Sequence, residues 1–134
     1  MPIVYAVKNV MSKPLITVDS EASCQDAIRV MAEKNIGAVV VTEKGKPVGI
    51  VTERDILKKV CPNVSCMKVK VKEIMSKPLI TVDANTPIGE AVSIMVDRNI
   101  RRLLVTEGGK IVGIVTQKDL MKGTLDAFMA MASV

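Results

Sequence analysis

Histidine and tryptophan are absent from this 134-residue chain, and Tyr5 and Phe128 are its only aromatic residues. The first absence excludes histidine-based catalytic triads, imidazole metal sites and histidine pH switches. The second removes the aromatic platform on which single-strand nucleic-acid readers stack bases, because one ring near each end of the chain cannot build it. Long apolar runs are missing too. The longest plainly apolar stretch, residues 36–41, is far short of the roughly 20 residues that a membrane-spanning helix needs. The first ten residues lack the apolar core and cleavage site of a signal peptide, and the three cysteines, Cys24, Cys61 and Cys66, are odd in number. The expectation is a cytoplasmic protein with reduced thiols and no membrane association. Cys61 and Cys66 have the spacing of half a zinc site, but with no histidine to complete a set with Cys24 they read as linker and core cysteines, and no metal is expected.

What is present is the composition of a folded protein: 49% apolar and 25% charged residues, in a length that suits one domain or two small ones sharing a core. Nineteen basic against fourteen acidic residues leave a net charge of +5. That balance favours anionic partners such as nucleotides or nucleic acid.

An internal repeat organises the chain. Met11–Asp19 returns letter for letter as Met75–Asp83, and at the same offset of 64 residues Val48–Thr52 returns as Val112–Thr116, Gly45–Lys46 as Gly109–Lys110, and Asp55 as Asp119. No gap is needed across residues 10–59 and 74–123. Each repeat is therefore a complete unit and the two form a pair, not an array.

Within each repeat the order strand, helix, strand, strand, helix can be read locally. Residues 15–18 are a β-prone run after a proline. Residues 20–23 offer polar start signals for a helix that buries Ala27, Ile28 and Met31. In the second repeat Thr86 is expected to cap the helix, with Pro87 at its first position and Ala91, Val92 and Met95 on the buried face. Residues 38–42 and 47–52 are strands joined by a short loop containing Gly45, and a last helix follows at residues 53–59 and 117–122. The expected division is residues 8–59 for the first repeat, 60–72 for a linker, 73–122 for the second repeat and 123–134 for a tail. Lys68, Lys70 and Lys72 alternate in the linker as a solvated strand face would. The tail carries Leu125, Phe128, Met129 and Met131 at roughly helical spacing, which predicts a short helix docking on this chain or on a second copy. The fold class expected is mixed α+β, two β-α-β-β-α repeats packed sheet to sheet about a pseudo-twofold axis.

The duplicated opening ending in Thr-Val, the Asn-Ile that precedes the middle strand, and Val-Gly-Ile-Val-Thr followed by a helix with Asp at its third position resemble the cystathionine-β-synthase (CBS) domain. Two copies resemble a CBS pair, and the likeness covers residues 8–122. The resemblance implies a regulatory module, not an enzyme. It implies an adenosine-containing ligand, AMP, ADP or ATP and in some members S-adenosylmethionine or NAD, bound in clefts between the repeats with no further cofactor. It also implies a homodimer, and a regulated partner protein that the sequence does not name.

Chemistry suits that implication at Thr52, Arg54 and Asp55 and at their copies Thr116, Lys118 and Asp119. A carboxylate can accept bonds from both ribose hydroxyls, while a threonine hydroxyl, helix amides and a cation suit phosphate. The same Thr-x-x-Asp is also a capping box, in which Asp only returns a hydrogen bond to the helix start. At the start of the middle strand the resemblance places cleft residues: Ile36, Gly37 and Ala38 in the first repeat, Ile100, Arg101 and Arg102 in the second. Successive strand residues face opposite ways, so one of the two arginines would enter a given cleft. If the clefts lie between repeats, Gly37 and Ala38 share one with Thr116, Lys118 and Asp119, and the arginines share the more positive one with Thr52, Arg54 and Asp55. Thr17 and Val18, with Thr81 and Val82, end the first strands, where the resemblance puts backbone against the base. The competing reading is a basic RNA- or DNA-binding accessory protein, motivated by the +5 charge and the arginine pair.

Overall fold

The computed structural model of the chain describes residues 5–60, 68–77 and 79–132. Among the described residues it is a mixed α+β structure with two three-stranded sheets and four α-helices. Cys61 and Cys66, and the part of the expected linker around them, lie outside the described residues.

The chain divides into two compact units that do not follow the sequence repeats. One runs from Ile16 to Leu79; the other joins the N-terminal residues as far as Leu15 to everything from Ile80 onward. Each unit takes the segment that precedes the other repeat's first strand.

In the unit of residues 16–79, β1 (Thr17–Asp19) lies parallel to β2 (Ala38–Glu43), and β2 is antiparallel to β3 (Lys46–Thr52). The crossover is α1 (Cys24–Lys34). Ser23 caps it through Asp26, whose amide donates to the serine hydroxyl at 3.1 Å, and Asn35 ends it in the left-handed conformation. Lys44 and Gly45, both at positive φ, make the β2–β3 hairpin turn. Cys24, Ala27 and Met31 of α1 meet Val18, Val39, Val41 and Val51 in the core, and Ile28 packs partly buried beside them. The closing helix α2 (Glu53–Lys59) adds Ile56.

The stretch 68–77 is not a solvated strand. Val71 and Ile74 are buried in this core, residues 71–73 form a single 3-10 turn, and Ser76 exchanges backbone hydrogen bonds with Ile50 of β3. Lys70 and Lys72 do not face bulk water alone either: both pair with Glu21, Lys72 at 2.8 Å. Hydrogen bonds from Lys70 and then Lys72 hold the Glu21 carboxyl down to about 2, and Glu21 in turn raises Lys72. A carboxyl lowered in the folded state stabilises the fold above its unfolded pKa, near 4.5, and loses that contribution as pH falls toward 2. The cluster is exposed and therefore screened. Urea midpoints measured from pH 6 to pH 2.5 should fall less in Glu21→Gln than in the original chain, and 1 M salt should shrink the difference; parallel curves at low salt would show that the cluster does not stabilise the fold.

In the unit formed by residues 5–15 and 80–132 the same order recurs: β4 (Thr81–Asp83) parallel to β5 (Arg102–Glu107), itself antiparallel to β6 (Lys110–Thr116), with α3 (Ile88–Arg98) crossing over. Val7, Ala91, Met95, Leu103, Val105, Val115 and Leu120 form its core. Met31 and Met95 therefore fill equivalent core positions. Residues 5–8 hydrogen-bond to the segment 84–88 that opens α3, and Ser12 exchanges backbone hydrogen bonds with Ile114 at the edge strand β6. Gly113 is required there, since a Cβ would sit 2.7 Å from the Ser12 carbonyl oxygen.

Three expectations are corrected here. Thr86 does not cap α3: Pro87 occupies the cap, the Thr86 carbonyl accepts from Val7, and the Tyr5 carbonyl accepts from the Ile88 amide. A strand-like segment from the far end of the sequence thus supplies what a threonine side chain would have. Val92 is 39% exposed and lies off the buried face set by Ile88, Ala91 and Met95. The closing helix and the tail are one element, α4 (Gln117–Ala132). Gly123 does not end the helix, because it is buried where a Cβ would meet Val10 and Ile88 at 2.7 and 2.9 Å.

Candidate functional site

Both Thr-x-x-Asp segments form reciprocal capping boxes where an edge strand turns into a helix. In the first, the Thr52 amide and hydroxyl donate to Asp55 Oδ2 at 3.0 and 3.1 Å, and the Asp55 amide donates to Thr52 Oγ at 3.2 Å. In the second, the Thr116 amide donates to Asp119 Oδ2 at 2.9 Å and the Asp119 amide to Thr116 Oγ at 3.2 Å. The structural role expected for these residues is present in both copies. It does not exhaust the carboxylates, because the amide bonds occupy Oδ2 and each carboxylate has a second oxygen.

The start of the middle strand stands beside each box, within the same unit. Ala38 pairs with Thr52 in the β2–β3 ladder, and the Glu53 amide donates to the Gly37 carbonyl at 2.9 Å. Arg102 pairs with Thr116 in the β5–β6 ladder, and the Gln117 amide donates to the Arg101 carbonyl at 2.9 Å. The neighbourhoods on view thus join Gly37 and Ala38 to Thr52 and Asp55, and Arg101 and Arg102 to Thr116 and Asp119. Arg101 is exposed just before β5, Arg102 is half-buried as its first residue, and Arg54 and Lys118 are exposed on the first turns of α2 and α4. Ile36 and Ile100 are half-buried and pack against the cores of their units.

Thr17 and Thr81 are exposed, while Val18 and Val82 are buried in the cores. β1 and β4 each lie directly beside the middle strand, with Thr17 opposite Val40 and Thr81 opposite Leu104.

One residue at this site escaped the sequence reading. Lys59 Nζ lies 3.5 Å from Asp55 Oδ1 and donates to the Ile74 carbonyl at 2.9 Å. Its signal was available: Lys59 is four residues after Asp55, one helical turn away, and the copy at position 123 is glycine.

Among the described residues, no group of three or more Cys, Asp and Glu side chains is arranged to hold a metal ion, and no helix is long and apolar enough to cross a membrane.

The family model for the CBS domain matches residues 7–61 and 71–126. The chain is 40% identical over 120 residues to an uncharacterized protein of Methanopyrus kandleri, an alignment that takes in 87% of this chain and 61% of that protein. It thus spans about three fifths of that relative's length. It is also 35% identical over 118 residues to the L-aspartate semialdehyde sulfurtransferase of Methanocaldococcus jannaschii, in 87% of this chain but 22% of the enzyme. Among solved structures, an uncharacterized conserved protein from Pyrococcus horikoshii is similar with a TM-score of 0.83 at 37% identity, covering 92% of this chain and 95% of that one. The domain pair of protein MJ0100, solved in complex with 5′-methylthioadenosine and S-adenosyl-L-methionine, is similar with a TM-score of 0.78 at 31% identity, covering 90% and 95%.

Proposed function

The chain belongs to the CBS-domain family, and from that premise we propose that this CBS pair is a regulatory module that binds an adenine nucleotide, AMP, ADP or ATP, and passes the binding event to a partner protein. The observation that carries the reading is the duplicated Thr-x-x-Asp box. In it a fixed, half-buried carboxylate keeps an oxygen beyond its capping bonds, next to strand backbone and a cation. Asp55 and Asp119 take the ribose hydroxyls. The backbone of Thr17 and Val18, of Thr81 and Val82, and of the stretches beginning at Ile36 and Ile100 meets the base. Arg54, Lys118, Arg101 and Arg102 answer phosphate.

Charge favours a phosphorylated ligand over the sulfur nucleosides held by the MJ0100 pair. The net charge is +5, and the second repeat sets two arginines beside its box where the first has Gly37 and Ala38. The second repeat therefore takes the more highly phosphorylated ligand. The relation to a sulfurtransferase covers a small part of that enzyme, and neither box holds an activated nucleophile, so the role proposed is sensing and not catalysis.

Thermal unfolding against AMP, ADP, ATP, S-adenosylmethionine, NAD and a short RNA tests the reading. A ligand at 100 times its dissociation constant stabilises the folded state by about 2.7 kcal/mol, on the order of a 10 °C rise for a chain of this length. A rise with AMP, ADP or ATP is expected. A rise with RNA alone, steeply weakened by salt, would replace this reading with the nucleic-acid one, and no rise with any adenosine compound would overturn it.

A second copy of the chain is the proposed structural partner. Met121, Leu125, Phe128, Met129 and Met131 of α4 are all exposed, although Leu120 and Gly123 of the same helix are buried in their own unit. Met121, Leu125, Phe128 and Ala132 follow the alternating four- and three-residue spacing of a helix–helix seam.

A further inference from the structure

Resting on the reading of Asp55 and Asp119 as ribose acceptors, we infer that Lys59 holds the first repeat's carboxylate closed, so that the two repeats bind an adenosine ligand unequally and the second repeat fills first. A carboxylate offers about four lone-pair positions. At Asp55, the Thr52 amide and hydroxyl occupy two on Oδ2, and Lys59 stands against Oδ1 at 3.5 Å. Two ribose hydroxyls would take the two remaining positions, both on Oδ1, where the Lys59 ammonium already stands, so Lys59 has to give way. At Asp119, the Thr116 amide donates to Oδ2, and among the described residues no lysine or arginine lies within ion-pair distance of either oxygen. That carboxylate receives a ribose without breaking a bond.

The difference is built into the packing. The Lys59 ammonium is held twice, by Asp55 and by the Ile74 carbonyl, and the Asp55 side chain is only 14% exposed, which strengthens the pair. At the offset of 64, Lys59 becomes Gly123, Ile74 becomes Val10 and Cys24 becomes Ile88. Val10 and the larger Ile88 fill the space a side chain at position 123 would need. A side chain there would have to displace Val10 and Ile88, and with glycine at 123 the second box stays open.

Lys59 is a positioning residue on this account, acting through Asp55. Isothermal titration of the full chain with AMP tests it. The original chain should show two affinities at least about tenfold apart, and Asp119→Asn should remove the tighter. Lys59→Met should bring the weaker within about threefold of the tighter, whereas Lys59→Arg, which keeps the ion pair, should leave it weak; Lys59→Gln serves if the methionine variant is less stable. Equal affinities in the original chain, or a weaker second site in both Lys59→Met and Lys59→Gln, would overturn the lock and make Lys59 a ligand contact or a bystander. Loss of the tighter site in Asp55→Asn, with Asp119→Asn unaffected, would overturn the order of filling. Absence of AMP binding in every protein would instead overturn the ribose-acceptor reading itself, and the lock with it.

Discussion

Replacing Asp55 and Asp119 together by asparagine is expected to abolish measurable binding of AMP, ADP and ATP while leaving the protein folded. The two effects separate because the carboxylates do two jobs through different bonds. Capping uses Oδ2, which accepts the Thr52 and Thr116 amides at 3.0 and 2.9 Å. An asparagine carbonyl can still accept that bond, so the cost per helix start is about 1 kcal/mol or less. Ribose recognition needs the charge and both oxygens. Hydrogen bonds to a charged group contribute about 1.5–3 kcal/mol each, so losing two per site weakens binding by roughly a hundredfold to ten-thousandfold. Calorimetric titration of the double variant, with its melting temperature recorded alongside, gives both numbers. An affinity unchanged by the double substitution would show that the boxes serve the fold alone. A second comparison sharpens the assignment: the original chain should bind 2′-deoxy-AMP about tenfold more weakly than AMP, since one hydroxyl is gone, and a chain whose carboxylates read something other than ribose would bind both alike.

Much of this arrangement was legible in the sequence because it is local and written twice. The hairpin turn at Gly45, the helix ending at Asn35 and the Thr-x-x-Asp boxes each depend on a few consecutive residues, and their recurrence 64 residues later separates pattern from coincidence. What escaped depends on partners distant in the chain. Whether Thr86 caps α3 is decided by the carbonyl of Tyr5, and whether Gly123 breaks α4 is decided by Val10 and Ile88. No window around residue 86 or 123 contains that information. The alternating lysines of residues 68–72 misled for a related reason: period two suggested a strand, but Glu21, far upstream, draws Lys70 and Lys72 together around a 3-10 turn that buries Val71. The i,i+4 relation of Lys59 to Asp55 is local, but it belongs to one repeat only and so lies outside the pattern that the two repeats share. The difference between Lys59 and Gly123 carries the information that the common motif conceals.

Leu125→Glu combined with Phe128→Glu is expected to turn a dimer into a monomer without lowering the melting temperature of the isolated chain. Both side chains are exposed, at 58% and 62%, so neither supports the core of its own unit. The helix that carries them extends well past the length of its counterpart, sixteen residues in α4 against seven in α2, and beyond Asp126 it has no charged side chain through Ala132. An apolar face of that extent is rarely left to water on a protein that stays monomeric. A twofold-symmetric contact counts every substitution twice. Burying a side chain such as Leu or Phe contributes about 1.5–3 kcal/mol, so two residues in two copies account for at least about 6 kcal/mol, roughly ten-thousandfold in the dissociation constant. The glutamates add the cost of desolvating charge. Sedimentation of the original and substituted chains across micromolar concentrations reads the result directly. Leu57 provides the internal comparison, since it occupies in α2 the position of Met121 in α4 and is 64% exposed but lacks the extended helix beyond it. Leu57→Glu should weaken the dimer far less than the α4 pair. An original chain that sediments as a monomer would overturn the dimer and leave the apolar face of α4 for a different protein, and an α4 double variant that still sediments as a dimer would move the contact away from α4.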